Sequence, residues 1–211
     1  IDLGAHAEAV NSELRFGRYL NSDTKCVNVE SVRGYRYLYL VIDKDTRVTF
    51  AFLGVLKSDF TPIIQRWLRK FHNIYGRYPE HWKFDQGGEF LNDKLKEMLE
   101  KKGTTFIFST TQAHNQNAYS ERKIGVVWNS VMKMLSGSGV PMQFWCYCAT
   151  YAVFVQNHMP HRGLDRGIPL KHARMRTTYQ HLYPFGCEVW FVDEKSSSSK
   201  SRCKRGVFLG V

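Results

Sequence analysis

GYRYLYLVIDKDTRVTFAFLGVL, Gly34 to Leu56, consists of two apolar, aromatic and β-branched runs separated by one polar connection. Residues 35–43 and 47–56 each have strand length and the residue types that suit a pleated surface, and the short link between them predicts an antiparallel hairpin. Downstream the period changes. Phe60, Ile63, Ile64, Trp67, Leu68 and Phe71 recur at intervals of three and four, predicting an amphipathic helix with Ser58 as N-cap and Gly76 as its stop. EHWKFD then reads as a third strand, residues 90–103 as a second helix closed by glycine, and TTFIFST as a fourth strand. A polar stretch, TQAHNQNAY, leads into a helix over ERKIGVVWNSVMKML, which SGSGVP breaks. MQFWCYCATYAVFVQNHM follows as a helix apolar on several sides. The order β-β-α-β-α-β-α-α predicts a layered α/β domain. Upstream, the first twenty residues show no clean period and read as an irregular lead-in.

The chain has 211 residues, 43% of them hydrophobic, enough to bury a core. The longest apolar runs fall short of the roughly 18 residues that a membrane span needs. No signal peptide is expected, and a first residue other than Met suggests a piece of something longer. Five cysteines at irregular spacing, none in a zinc-type pair, suggest a reduced, intracellular setting. The formal charge of +11 points to a polyanionic partner, with nucleic acid ahead of an anionic membrane because no basic amphipathic helix stands out. Residues 161–211 carry ten Lys or Arg against four Asp or Glu. Two strand-like runs there, EVWFV and RGVFLGV, flank DEKSSSSKSRCKR, and two strands cannot close a core alone, so this stretch either docks on the main domain or starts a second one.

Two carboxylates stand where elements begin and end. Asp85 closes the third predicted strand in FDQGGEF, and Glu121 opens a predicted helix, with thirty-five residues between them. A two-metal phosphoryl-transfer site needs convergent carboxylate oxygens of this kind, since Mg²⁺ is a hard ion. Taken singly, Asp before Gln-Gly-Gly is a good turn residue, and Glu in a first helical turn suits the helix dipole.

The wording around them carries more. GYRYLYLVIDKDTR, FDQGGEF, QNAYSER, SGSGVPMQFWCYCATYAVFVQN, YPFGCEVWFV and GVFLGV, in this order over residues 17–211, resemble the integrase of copia-type LTR retrotransposons. The resemblance implies an RNase H-like α/β fold, a mixed five-stranded sheet flanked by helices, with a basic C-terminal extension. The implied organisation is a lead-in over 1–16, a catalytic core over 17–160, and an extension over 161–211 that starts a second small β domain. It also implies a catalytic and metal-binding triad of Asp23, Asp85 and Glu121, holding two Mg²⁺ or Mn²⁺ ions. Asp23, in Asn21-Ser22-Asp23, precedes Asp85 by a family-like interval of sixty-one intervening residues; Asp2 in IDLG is the rival first carboxylate. Asp43 matches a family aspartate that is structural.

Gln116, Asn117, Arg122 and Lys123 are the implied DNA contacts. The implied reaction joins element DNA 3′ ends to target DNA in the nucleus, by a homo-oligomer that also resides in a cytoplasmic virus-like particle. The chain departs from the family at Asn21 (His), at TKC after Asp23 (a Cys-Gly-Pro-like turn), at His114 (Pro) and Ala118 (Gly), and at Ile124 and Gly125, where an Asn and an Arg are expected. Those departures keep two alternatives open: a non-catalytic nucleic-acid-binding scaffold derived from such a core, and an RNase H-like nuclease that cuts without joining.

Overall fold

A computed structural model describes residues 15–84, 93–108, 114–192 and 203–211, with the backbone alone over 114–118. The hairpin forms as its sequence predicts. Strands β2 (Tyr37–Asp43) and β3 (Thr49–Gly54) pair antiparallel from Tyr37↔Gly54 to Ile42↔Thr49. Alternate residues of β2 enter two different cores. Leu38, Leu40 and Ile42 join Val127, Val131 and Trp145 on one face, while Tyr39 and Val41 join Phe60, Ile64, Leu68 and Trp82 on the other. A strand covered on both faces has no polar side to show, which is why LYLVI is an uninterrupted apolar run. Asp43 closes the turn. Its Oδ1 accepts from the Thr46 backbone N–H and hydroxyl, each at 2.7 Å, and its Oδ2 accepts from the Gly17 N–H at 2.7 Å.

The residue pattern predicts four strands in the main sheet, and the structure has five. The additional one, β1 (Tyr19–Cys26), sits at the centre of the order β3-β2-β1-β4-β5. It runs antiparallel to β2 and parallel to β4 (His81–Phe84), which in turn runs parallel to β5 (Thr105–Phe108). The mixed sheet and its helices give the RNase H-like fold. The lead-in also reaches the core: Phe16 is buried against Phe50, Phe71 and Tyr75. Gly17 follows at φ 81°, and a Cβ there would stand 2.4 Å from the Phe71 ring, so both backbone and space require glycine. Residues 1–14, including the rival Asp2, lie outside the described residues.

Helix α1 (Phe60–Tyr75) buries the stripe Phe60, Ile64, Leu68 and Phe71 and ends at Gly76, which is left-handed at φ 66°. Its N-cap differs from the expected Ser58. Ser58 lies in a 3-10 turn and Asp59 takes the cap position, its Oδ2 accepting the N–H groups of Val55 and Leu56. Helix α2 (Asp93–Lys101) buries Leu95 and Leu99. Helix α3 (His114–Ser138) is longer than its apolar period at both ends, taking in part of the stretch read as a polar loop. Helix α4 (Trp145–His158) is buried on several sides, as its composition predicts, and Asn157 clamps it to β3 by pairing with both backbone groups of Thr49.

Beyond α4 come a 3-10 turn at Arg162–Leu164, a short helix α5 (Pro169–His172), and an antiparallel hairpin of β6 (Glu188–Val192) and β7 (Cys203–Val207). Phe185, Phe208 and Leu209 flank that hairpin and pack into the α3–α4 core. Residues 193–202 lie outside the described residues. No helix among the described residues is long and apolar enough to cross a membrane.

Candidate active site

Asp23 sits inside the central strand, 5% exposed, with its Oδ1 accepting the Thr24 N–H at 2.7 Å. Strand alternation sorts its neighbours. Ser22 points to the α1 side, where its Oγ accepts the Trp82 indole N–H at 2.7 Å. Asn21, Asp23 and Lys25 therefore point to the opposite side, and the Lys25 ammonium stands 5.0 Å from the Trp128 ring of α3. Asp23 thus faces α3.

Glu121 is exposed on α3, on a stripe with Ile124 and Trp128 at i, i+3 and i+7. Helix and strand run in the same sense. The chain that continues from β1 meets the far end of α3: the Val29 carbonyl accepts the Trp145 indole N–H at 2.9 Å, and the Val32 N–H donates to the Gln143 carbonyl at 2.9 Å. Glu121 precedes Trp128 by about 10 Å of helix at 1.5 Å per residue. Asp23 precedes Lys25 by about 7 Å of strand. Counted back from one shared contact, the two carboxylates lie at the same end of the α3–β1 layer.

The last paired rung between β1 and β4 is Ser22↔Phe84. Asp23 and Asp85 are the next residues of their segments, and Asp85 lies outside the described residues. Among the described residues no group of three His, Cys, Asp or Glu could hold a metal ion. Asp23 and Glu121 offer carboxylate oxygens, a donor chemistry that fits Mg²⁺ rather than zinc.

The expected DNA contacts divide. Gln116 and Asn117 belong to the first turns of α3, with side chains outside the described residues. Arg122 is exposed. Lys123 is half-buried on another flank of the helix from Glu121, and its Nζ donates to Gln156 Oε1 of α4 at 2.8 Å. Burial, then the Arg47 charge, push its ammonium down to about 8. Arg47 lies over the Tyr119 ring at 5.2 Å, and His161 is lowered by burial, then by Lys123 and Arg47. The motifs pointed to neither Arg47 nor His161, because they come from the hairpin turn and the loop after α4 and meet Lys123 only in the folded chain. Asp43, by contrast, is spent on its own turn: burial first raises its carboxyl, against the lowering by hydrogen bonds from Thr46 and Gly17.

No family model matches the chain. The retrovirus-related Pol polyproteins from transposons RE2 and RE1 of Arabidopsis thaliana are each 26% identical, over 203 and 195 residues that cover 91% of this chain. The Ty1-LR3 Gag-Pol polyprotein of Saccharomyces cerevisiae is 25% identical over 118 residues, 56% of the chain. The chain spans only 13% of the two plant polyproteins and 7% of the yeast one. Among solved structures, the HTLV-2 integrase catalytic core domain in complex with magnesium superposes with TM-score 0.57 at 15% identity, covering 76% of this chain and 98% of that one. A chain of the simian T-cell lymphotropic virus intasome in complex with PP2A regulatory subunit B56 gamma gives 0.62 at 13% identity, covering 92% and 68%. The fold is that of retroviral integrase cores, and the chain is an integrase-core-like region homologous to copia/Ty1 retrotransposon Pol polyproteins.

Proposed function

We propose that this integrase-core-like chain is the catalytic core of a retrotransposon integrase, joining element DNA 3′ ends to target DNA by Mg²⁺-dependent phosphoryl transfer. The observation that carries the reading is Asp23, buried in the central strand one residue past the last β1–β4 rung and facing α3, the helix that carries Glu121, in a fold shared with retroviral integrase cores. Asp23, Asp85 and Glu121 would hold the metal. Two Mg²⁺ ions there would activate the 3′-hydroxyl of the element end as nucleophile and neutralise charge on the leaving 3′-oxygen of the target strand. The chain's own residues do the rest. Asp23, buried in the strand and bonded by the Thr24 N–H, cannot swing away, so its carboxylate is preorganised. Arg122, exposed beside Glu121, is placed to take a DNA phosphate. The site of action would be chromosomal DNA in the nucleus, reached through a virus-like particle, with the protein working as a homo-oligomer.

One observation favours a second reading, a DNA-binding scaffold without turnover. Ile124 spends its side chain on the core and Gly125 has none, so neither contributes the polar group expected on the catalytic helix. Strand transfer with Mg²⁺ or Mn²⁺, compared among wild type, Asp23→Asn, Asp85→Asn and Glu121→Gln, separates the readings. Each variant is expected to lose at least about 100-fold of joined product while remaining folded. Activity unchanged in all three removes the proposed site. DNA binding with no metal-dependent product in the wild type supports the scaffold, and cleavage without joining supports the nuclease.

A further inference from the structure

On a flank of α3 away from Glu121, three basic side chains converge from three parts of the chain. Arg47 comes from the β2–β3 turn, Lys123 from α3, and His161 from the loop after α4. The Arg47 guanidinium lies over Tyr119, one helical turn before Lys123. A Cβ on Gly163 would lie 3.3 Å from the His161 ring and 3.4 Å from Arg47 Nε, so ring and guanidinium meet across that glycine. Their mutual electrostatics give the same picture, since Lys123 and Arg47 both disfavour a charged His161.

We propose that Arg47, Lys123 and His161 form a phosphate-binding site that takes a DNA backbone phosphate at a distance from the carboxylates.

Donors are available in all three. Arg47 Nε is buried and has no acceptor among the described residues. Lys123 donates one proton to Gln156, and an ammonium has three to give. His161 Nδ1 accepts the Gly163 N–H at 3.0 Å, which fixes the proton on Nε2 as a donor. No carboxylate among the described residues forms an ion pair with any of the three. Like charges gathered without a counter-ion repel, and an oxyanion reverses that repulsion.

The surroundings favour phosphate on a nucleic acid over an acidic peptide. The loop carrying His161 is closed by His161 N–H to the Gly167 carbonyl at 2.9 Å, and Leu164 N–H to the His161 carbonyl at 3.0 Å. It borders a cavity of 840 Å³ lined by Pro160, Arg162, Asp165 and Arg166, large enough for a sugar-phosphate unit. Three of the four non-glycine residues with left-handed backbone among the described residues, Arg47, Asp165 and Arg166, lie in these two loops. Strain of that kind persists where the surrounding structure holds a geometry fixed. The net charge of +11 draws the same polyanion.

This inference rests on the integrase reading only for the identity of the polyanion as DNA. The test is metal-free binding of a short DNA duplex over a salt series, with chelator present, for wild type, Arg47→Gln, His161→Gln and Glu121→Gln. Arg47→Gln should weaken binding and flatten the slope of log K against log salt by about 0.9, as for a lost cationic phosphate contact, whereas His161→Gln, which removes a neutral donor, should weaken binding with the slope kept. Inorganic phosphate should also shift the His161 ring resonances in the wild type. His161→Gln keeps the test decisive if Arg47→Gln disturbs the hairpin turn. Wild-type affinity in both folded variants, a wild-type slope in folded Arg47→Gln, no response of His161 to inorganic phosphate, or displacement by an acidic peptide alone would each overturn the proposal. Glu121→Gln separates the two readings: if it abolishes strand transfer while His161→Gln leaves DNA binding unchanged, only the phosphate site fails. If the reverse holds, only the catalytic reading fails.

Discussion

Two aspartates of adjacent strands, Asp23 and Asp43, are both buried, yet they carry different chemistry. The wording IDKDTR shows only that Asp43 ends a strand before a turn, and family resemblance alone set it aside from the site. The reason is visible in three hydrogen bonds. Thr46 twice and Gly17 once occupy its oxygens, tying the hairpin turn to the chain entering β1. Replacement by Ala would leave those donors buried without an acceptor, a loss of about 3 kcal/mol, whereas Asn retains part of the network. The pH dependence has a definite sign. Burial is the largest influence and raises the folded carboxyl above its ordinary value of 3.8, so the folded state holds this proton more tightly than the unfolded chain. Its contribution is therefore fully present below the unfolded value and is lost as pH rises through the folded one. Denaturant titrations of wild type and Asp43→Asn between pH 3 and 7 should show the difference narrowing in that direction. A difference independent of pH would mean that Asp43 does not titrate differently on folding.

Strand β1 shows where sequence period stops being informative. Hairpin, helices α1 and α4, and strands β4 and β5 were legible because apolar residues recur with the period of the element that buries them. YLNSDTKC has one large aliphatic residue, and the strand is held by pairing on both edges instead. Two of its polar residues show why they are buried, since Ser22 satisfies an indole and Asp23 stands at the proposed site. A polar run at the centre of a sheet breaks the local rule where function needs it. The first turns of α3 were hidden for a related reason, since HNQNAYS has no apolar stripe of its own. Ser22→Ala tests the account of β1. It leaves the Trp82 N–H buried without its 2.7 Å acceptor, costing about 1–3 kcal/mol by denaturant unfolding. Adding Trp82→Phe removes the stranded donor, so the double variant should lose less than the sum of the two single losses. Strict additivity would show that the hydrogen bond contributes nothing to β1.

At the scale of the molecule, the basic extension is where composition says least about attachment. Two strand-like runs mark residues 161–211, and the structure pairs β6 with β7 there, the second strand lying at Cys203–Val207 rather than over the whole of RGVFLGV. What holds this hairpin to the core is aromatic and non-local. Phe208 meets the Tyr151 ring edge-on at 5.3 Å and the Tyr183 ring at 5.5 Å, while its backbone pairs with Gly186 and Cys187. Tyr151 lies on α4, so the contact joins residues far apart in the chain and leaves no periodic trace. The hairpin itself exposes Trp190, Phe191 and Val192, and draws little stability from its own surfaces. Cutting the aromatic anchor with Phe208→Ala should therefore release β6–β7 while the five-stranded sheet, cored on both faces, remains closed. Amide hydrogen exchange distinguishes the outcomes. Exchange faster by about 10-fold or more confined to β6 and β7 means that the extension opens as its own unit, consistent with a boundary near residue 160. Equal acceleration in β1 and β2 means that extension and core unfold together, and that the boundary exists in charge but not in cooperativity.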